Sequence, residues 1–294
     1  MITADGLQTA PAPTAAPGEP RDGAPTEAER RAALRRRSRR RKATATRYGL
    51  PALVLLALLG LWALLSVGGI VSDLVLPTPF EVAKSLVDDR AVYWMNARVT
   101  LLEIALGAAI GVSLGLLFGV MVGLNRGLRA ALYPLLVGSQ SLPVLALAPI
   151  LVLWLGFGIA PKVVIVVQII FFPVTVATIQ GLGAVSAEVL VFGRSLGASA
   201  WTLFWKVRVP AMMPHVFGGL KIASSYAAVA AVIAEYTGAE KGLGALMTRA
   251  NSDYNIPVVF GSVVIVTVIG LGLFLLVSLL ERRVTPWARR ADEI

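Results

Sequence analysis

Long apolar stretches alternate along the chain with short segments that contain prolines, glycines and charged residues. Six stretches are long enough to cross about 30 Å of hydrocarbon as helices that rise about 1.5 Å per residue. We predict these spans at Leu50–Val71, Val99–Val122, Ala130–Leu155, Lys162–Gln180, His215–Tyr236 and Pro257–Leu280. The pattern therefore predicts an all-α polytopic membrane protein with six transmembrane helices.

Proline and glycine positions add detail to these helices. Pro143 and Pro149 predict a bend or break in the third span, since proline lacks the amide hydrogen that a helix uses. Thr78 followed by Pro79 predicts a short interfacial helix within Ser72–Arg98, outside the membrane. Glycine recurs at every fourth position of the second span, which favours close packing against another helix in lipid. These glycines are Gly107, Gly111, Gly115, Gly119 and Gly123.

Charge divides the chain into three parts. The net charge is +10, and much of the excess lies before the first span, including the basic run Arg30–Arg47. We predict a disordered basic tail over 1–48, a transmembrane domain over 49–284 and a short C-terminal tail over 285–294. Alternate loops are rich in Lys and Arg, which predicts that both termini and the loop 181–214 are cytoplasmic. The tail serves as a retention signal in this interpretation, with anionic-lipid or nucleic-acid binding as the alternative.

The residue inventory excludes several kinds of chemistry. The sequence has no cysteine and a single histidine, His215, so thiolate catalysis and clustered nitrogen ligands for a metal are ruled out. No stretch matches the phosphate-binding pattern G-x-x-x-x-G-K-[ST], so the chain binds no ATP through such a loop. We expect no catalytic residue, no metal and no cofactor. An ion-coupled carrier is disfavoured, because the spans show no evident carboxylate pair or inverted repeat.

The loop 181–214 contains the most unusual composition. We predict a helix over Ala187–Leu196 that ends at Gly197, and a second helix that Ser199 caps, running from Ala200 to about Val207 and ended by Pro210. Trp201, Phe204 and Trp205 then share one face, with Lys206 and Arg208 beside them. This aromatic cluster fits either a protein interface or a helix lying in the lipid headgroups, and the physical argument leaves both open.

Polar residues within apolar spans are the candidates for a substrate path, because such residues are costly in lipid. These candidates are Gln140, Gln168, Tyr226 and Glu235, and hydrogen bonding between helices is the alternative role for the three neutral residues. For Glu235 a gating role, helix packing and an interfacial position all remain open. We expect Lys221 to extend toward the interface, and Glu103 lies near the outer start of the second span.

The loop resembles the signature cytoplasmic loop of ABC-importer inner-membrane permeases. That pattern reads Glu-Ala-Ala, three residues, Gly, nine residues, Ile, one residue, Leu-Pro; Gly197 and Pro210 match it, with Val207 and Val209 at the apolar positions. The acidic front is absent, because Val191, Phe192 and Gly193 occupy it, and the nearest acid is Glu188. Further similarity in "LPTP", "LAPILVLWLGFG", "FFPV" and "GLG" matches the branch that handles nitrate, sulfonates, taurine, bicarbonate and pyrimidine thiamine precursors.

The resemblance implies a type I importer permease fold and a set of partners. It implies an ATPase chain that binds the ATP and docks on the loop, a second permease copy, and an extracytoplasmic solute-binding protein. It also implies a substrate of the pyrimidine thiamine-precursor class, with sulfonate, taurine or nitrate as alternatives. The residues that it assigns to ATPase coupling are Glu188, Arg194, Gly197, Ala198, Ser199, Trp201, Phe204, Trp205, Lys206 and Pro210.

Overall fold

The structure is a computed structural model that describes residues 49–68, 71–72, 75–141 and 143–288. Within these ranges every regular element is a helix. They are α1 Gly49–Val67, α2 Pro79–Asp88, α3 Arg90–Leu124, α4 Arg126–Ser139, α5 Val144–Leu155, α6 Ala160–Gly183, α7 Ala187–Ser195, α8 Ala200–Leu203 with the π-helical turn Phe204–Arg208, α9 Val209–Glu235, α10 Leu243–Ser252 and α11 Ile256–Val284. The predicted tail 1–48 and residues 289–294 lie outside the described residues. Of the two compact units, the first includes 49–60 and the second begins at Leu61.

The helices that could span a membrane coincide with apolar stretches of the sequence. Among the described residues, five helices are long and apolar enough to cross a bilayer: α1, α3, α6, the continuous helix Ala200–Glu235 and α11. The predicted third span is not one helix, because α4 ends at Ser139 and α5 begins after Pro143. Pro149 lies inside α5 without interrupting it. The predicted break is confirmed, whereas a count of six continuous spanning helices is not.

The two halves of the broken span pack at different levels of the bundle. α4 contributes Leu136 to a cluster with Val122 and Ile179, near the ends of α3 and α6. α5 contributes Ala148 to a cluster with Ile165, near the start of α6, and Ala234. Together α4 and α5 therefore follow the length of the bundle as a discontinuous sixth segment.

The glycine repeat of α3 forms the closest helix contact of the fold. All five glycines face α6, and the two helices run parallel. A Cβ at Gly111 would lie 3.0 Å from the carbonyl oxygen of Val167, and one at Gly115 would lie 3.0 Å from that of Phe171. Only glycine lets two helix backbones approach this closely. The predicted packing role of the repeat is confirmed.

α9 runs antiparallel to α6 and is packed through small residues. Five of its alanines are buried against α3 and α6: Ala223, Ala227, Ala228, Ala230 and Ala231. Gly219 lies against Ala177 and the Pro173 carbonyl, where a side chain would overlap them. α3, α6 and α9 consequently form the tightly packed centre, and α11 lies against α9.

Helix directions place the remaining elements at two ends of the bundle. At the "loop end" lie α7, α8, the start of α9 and the end of α11. At the "cap end" lie α2, the start of α3, the start of α6 and α10, where Tyr93 packs against Leu246 and Val258. The predicted interfacial helix is present as α2: Pro79 occupies its first turn, and Thr78 and Glu81 form a reciprocal capping box.

Candidate functional site: the loop-end segment and a buried polar network

The loop-end segment folds as two short helices joined by a tight turn. α7 ends at Ser195, and Gly197 adopts a positive φ of 82°, which places it in the left-handed region that glycine enters without steric cost. The Ser199 hydroxyl accepts a hydrogen bond from the Thr202 amide at 3.1 Å and so caps α8. Ala198 lies in the turn, where its amide donates to the Gly193 carbonyl at 3.1 Å. The predicted helix, turn and cap are confirmed.

The predicted end of this second helix is wrong. The helix does not stop at Pro210 but continues from Ala200 to Glu235 without interruption. A π-helical turn at Phe204–Arg208 makes this possible, with the Val209 amide donating to the Phe204 carbonyl five residues back. The wider turn occurs next to Pro210, whose ring would clash with a carbonyl in a regular α-helical turn. The helix that contains the span predicted at His215–Tyr236 therefore starts at Ala200.

Three aromatic rings cluster on this segment and face different surroundings. Trp201 and Trp205 make an edge-to-face contact with centroids 5.5 Å apart, and Phe204 lies 5.4 Å from Trp205. Phe204 also packs against a buried cluster at the loop end, which contains Met212 and Val216. Trp201 is 70% exposed and Trp205 is 51% exposed. One ring thus anchors the segment while two indoles face outward.

Charged side chains surround the exposed indoles. Glu188, Arg194 and Lys206 are all exposed, and none forms an ion pair within the described part of the chain. Arg194 and Arg208 line a groove of about 430 Å³ with Trp201 and Phe204. Glu188 stands in the first turn of α7, where the helix dipole favours an acid. The segment therefore offers an apolar centre with a mostly basic rim.

The predicted path residues lie on different helices. Gln140 is exposed at the end of α4, Gln168 is half-buried in α6, and Tyr226 is 58% exposed on α9. None of these three side chains forms a hydrogen bond to another described residue. Glu235, in contrast, is 1% exposed and fully engaged by hydrogen bonds.

A buried polar network at the cap end surrounds Glu235. Its carboxylate accepts a hydrogen bond from the Thr100 hydroxyl at 2.6 Å and another from the Gly244 amide at 2.5 Å. The same Thr100 oxygen accepts from the Leu243 amide at 2.9 Å, and the Asn96 side-chain oxygen accepts from the Gly242 amide at 3.0 Å. Three consecutive amides at the start of α10 are thus satisfied by side chains of α3 and α9.

This network explains the "GLG" sequence at Gly242–Gly244. Gly242 has a positive φ of 124°, and a Cβ there would overlap the Glu235 carboxylate. A Cβ on Gly244 would lie 2.6 Å from the Val232 carbonyl oxygen. Of the three interpretations left open for Glu235, these contacts favour helix packing.

An ion pair extends the network to α6. Lys162 Nζ donates to Glu103 Oε1 at 3.0 Å, and Glu103 is fully buried. The expectation of no carboxylate pair is wrong, because Glu103 and Glu235 are both buried and are neighbours at the cap end. The second carboxylate oxygen of Glu103, Oε2, is buried without a hydrogen-bond partner among the described residues. Glu103 and Lys162 also line a cap-end cavity of about 410 Å³, together with Glu240 and Lys241.

Sequence reasoning missed Asn96, Thr100 and Lys162. Asn96 falls in the polar segment Ser72–Arg98, and Thr100 and Lys162 fall at the ends of predicted spans, where polar residues are common and call for no partner. The available signal was their spacing, since Asn96, Thr100 and Glu103 follow one another at four and three residues and so share one face of a helix. A polar stripe on an apolar helix indicates buried partners.

Two polar contacts at the loop end join α9 to α11 and to the residues that directly follow α11. The Trp287 indole nitrogen donates to the Pro210 carbonyl at 3.3 Å, and Lys221 pairs with Glu281 at 2.5 Å. Lys221 thus finds an anionic partner on the neighbouring helix. Thr285 lies between Glu281 and Trp287 in the sequence. It is buried, and its hydroxyl donates a hydrogen bond to the Glu281 carbonyl.

The described chain is a multi-pass helical bundle with an exposed aromatic helix pair at one end, an arrangement compatible with the membrane subunit of a transporter. A family model described as "Binding-protein-dependent transport system inner membrane component" matches residues 111–290. The chain belongs to that family, and it is the permease of an ABC importer.

Three relatives illustrate the similarity. A probable ABC transporter permease protein of Haemophilus influenzae is 37% identical over 79% of this chain and 95% of its own. The formylaminopyrimidine transport permease protein ThiX of Halalkalibacterium halodurans is 34% identical over 82% of this chain and 96% of its own. The taurine transport system permease protein TauC of Escherichia coli is 29% identical over 79% and 87%. The predicted branch of the permease family is therefore confirmed.

Proposed function

We propose that the segment 187–208, from α7 through the π-helical turn, is the surface on which a separate ATPase chain docks. The observation that carries this proposal is the exposure of Trp201 and Trp205 at the start of an uninterrupted 36-residue helix. Exposed tryptophans with a basic rim are the usual composition of interface hot spots. Because the helix continues into the membrane without a joint, a displacement of the segment moves α9 as well.

The remaining roles follow from this arrangement. ATP is bound and hydrolysed by the partner chain, and this permease is a non-catalytic subunit with no cofactor of its own. The loop end and both termini face the cytoplasm, as the basic loops favour. The cap end then faces the solute-binding protein outside the cytoplasmic membrane.

A second copy of the permease completes the path. Ile222, Tyr226 and Val229 are exposed along one face of α9, at spacings of four and three residues. Ser225 is exposed on the same face, so the face is mainly apolar with two hydroxyl groups, which suits contact with a second permease around a polar solute. Gln140, Gln168 and Tyr226 are the candidates that line this path, and Glu235 supports it through α10.

The proposed substrate is a pyrimidine thiamine precursor or a related heterocycle. ThiX, whose name specifies formylaminopyrimidine, aligns over nearly its whole length, which supports this class. TauC supports a taurine or sulfonate importer as the alternative, with nitrate behind it. Capture of only sulfonates by the purified solute-binding protein would exclude the pyrimidine assignment.

The docking proposal is tested by the double substitution Trp205→Ala and Lys206→Glu. We expect the permease to remain in the membrane, while the ATPase no longer co-purifies with it and uptake is lost. Trp154→Ala on α5 is the matched control, because Trp154 is also exposed, at 75%, and lies outside the segment. Unchanged co-purification and uptake in the double variant would exclude docking at this surface.

The buried carboxyl groups of Glu103 and Glu235 support a second candidate, an ion-coupled carrier that works without an ATPase. Carriers of that kind use intramembrane carboxylates to bind protons or sodium. Here, however, Glu235 is held by Thr100 and Gly244, and Glu103 is paired with Lys162. Uptake that persists after deletion of the ATPase would establish the carrier, whereas its loss supports the importer.

A further inference from the structure

One backbone carbonyl at the start of α9 lacks its regular helical donor. Pro214 has no amide hydrogen, so the Pro210 carbonyl four residues earlier loses its regular helical partner. The Trp287 indole supplies the missing donor at 3.3 Å from a position 77 residues further along the chain. The chain just beyond α11 is therefore attached to Pro210, two residues after the end of the ATPase-docking segment.

A second attachment lies deeper in the bundle. Lys221 and Glu281 form an ion pair with a distance of 2.5 Å and side-chain exposures of 28% and 24%. Lys221 is eleven residues beyond Pro210, which is about 16 Å along a helix. A single contact would let α9 pivot against α11, whereas two contacts at different levels oppose that pivot.

We propose that Trp287 and the Lys221–Glu281 pair form a clamp that makes α11 move together with the start of α9. This proposal rests on the proposed docking function, because the displacement to be passed on originates in the segment 187–208. Trp287 acts as a positioning residue: it contacts no solute and holds the carbonyl that the Pro214 ring leaves open. The clamp thus gives the segment a second route into the membrane, through α11 as well as α9.

If the clamp were purely structural, its loss would lower the thermal stability and the yield of folded permease. If the clamp transmits motion, its loss lowers the solute transported per ATP hydrolysed. The test uses the complete transporter in proteoliposomes, with the ATPase, the solute-binding protein, and both formylaminopyrimidine and taurine supplied. Trp287→Phe keeps the ring and removes the donor. We expect solute transported per ATP to fall about fivefold or more, with the ATPase still bound and the thermal midpoint unchanged.

Charge exchange tests the second contact. Lys221→Glu and Glu281→Lys each place like charges together and are expected to uncouple transport from hydrolysis. The double variant with both charges exchanged restores the ion pair, and we expect it to recover most of the solute transported per ATP hydrolysed. Trp154→Phe is the control for loss of an indole, because the exposed Trp154 makes no hydrogen bond to a described residue.

Cross-linking provides a measurement that does not depend on tolerance of charge reversal. The permease sequence has no cysteine, so Lys221→Cys with Glu281→Cys gives this chain a single pair of thiols for a bifunctional thiol reagent. If α9 and α11 move together, the cross-linked transporter retains its ratio of transport to hydrolysis. Transport that stops on cross-linking, or a wild-type ratio in Trp287→Phe, would overturn the clamp. Failure of docking itself is separate, because it would appear as an unaffected Trp205→Ala and Lys206→Glu variant.

Discussion

The Thr100 hydroxyl links Glu235 to the start of α10. It donates to the Glu235 carboxylate at 2.6 Å and accepts from the Leu243 amide at 2.9 Å, and Thr100, Glu235 and Leu243 are all buried. One side chain of α3 thereby joins the end of α9 to the helix that follows it. The start of α10 depends on this link, because its N-cap residue is Gly242, which has no side chain to accept hydrogen bonds from the first amides of the helix.

Thr100→Val tests the link with almost no change in volume. The substitution leaves a buried carboxylate oxygen and a buried amide without their partner, which costs about 3 kcal/mol in total. We expect the thermal midpoint of the detergent-solubilised permease to fall by about 6 °C or more. Thr267→Val is the control, because the exposed Thr267 bonds only to its own helix at Val263. Equal midpoints for the two variants would show that the network adds no stability.

Lys162→Met tests the ion pair with Glu103. Removal of the lysine leaves a fully buried carboxylate without its cation, which costs roughly 3–5 kcal/mol. We expect a large loss of thermal stability, and a substantial recovery when Glu103→Gln is added to remove the orphaned charge. Lys241→Met serves as the control, since exposed Lys241 lines the same cavity without an ion pair to a described residue. A double variant no more stable than Lys162→Met would contradict the pairing.

The membrane helices were predictable because a helix that crosses lipid needs a run of about twenty apolar residues, and such runs can be seen in the sequence. Their ends were less predictable, because hydropathy reports the hydrocarbon region and not the helix. α3 begins at Arg90 and not at Val99, and the helix around α9 begins at Ala200 and not at His215. In the first case polar residues continue the helix beyond the apolar stretch, and in the second a segment that contains Lys206, Arg208 and Pro210 does so.

The loop segment was largely predictable because its determinants are local. A glycine at a left-handed turn and a serine at a cap act within a few residues, and both Gly197 and Ser199 are found as expected. The network around Glu235 was not, since its hydrogen bonds to Thr100 and Asn96 connect residues more than 130 positions apart. The π-helical turn was also missed, because proline usually ends a helix and Pro210 was interpreted in that way.

Adjacent glycines in α9 provide a prediction about packing. Gly219 lies against α6, where a Cβ would be 2.5 Å from that of Ala177 and 2.7 Å from the Pro173 carbonyl oxygen, whereas Gly218 has no atom within 4 Å of that position. Gly219→Ala should separate the two helices and lower the thermal midpoint and the yield of folded permease. Gly218→Ala should be neutral or slightly stabilising, because alanine favours helix. A reversed order of the two midpoints would mean that α9 packs through another face.

Gly197 provides the sharpest prediction about the loop-end segment, because its role depends on the backbone alone. A Cβ there meets nothing within 4 Å, yet the φ of 82° costs a residue with a side chain about 1–2 kcal/mol. Gly197→Ala should therefore leave the membrane bundle as stable as before while it separates α7 from α8. If α7 and α8 dock together, the affinity for the ATPase falls about tenfold. The Gly197→Asn variant should lose less affinity for the ATPase, because asparagine enters the left-handed region more readily than alanine does. Gly138→Ala in α4 is the control, because a Cβ there also meets open space and the backbone is ordinary α-helix. Titration of the purified ATPase against the three variants measures the order, and equal affinities for Gly197→Ala and the wild type would show that α8 alone carries the docking surface.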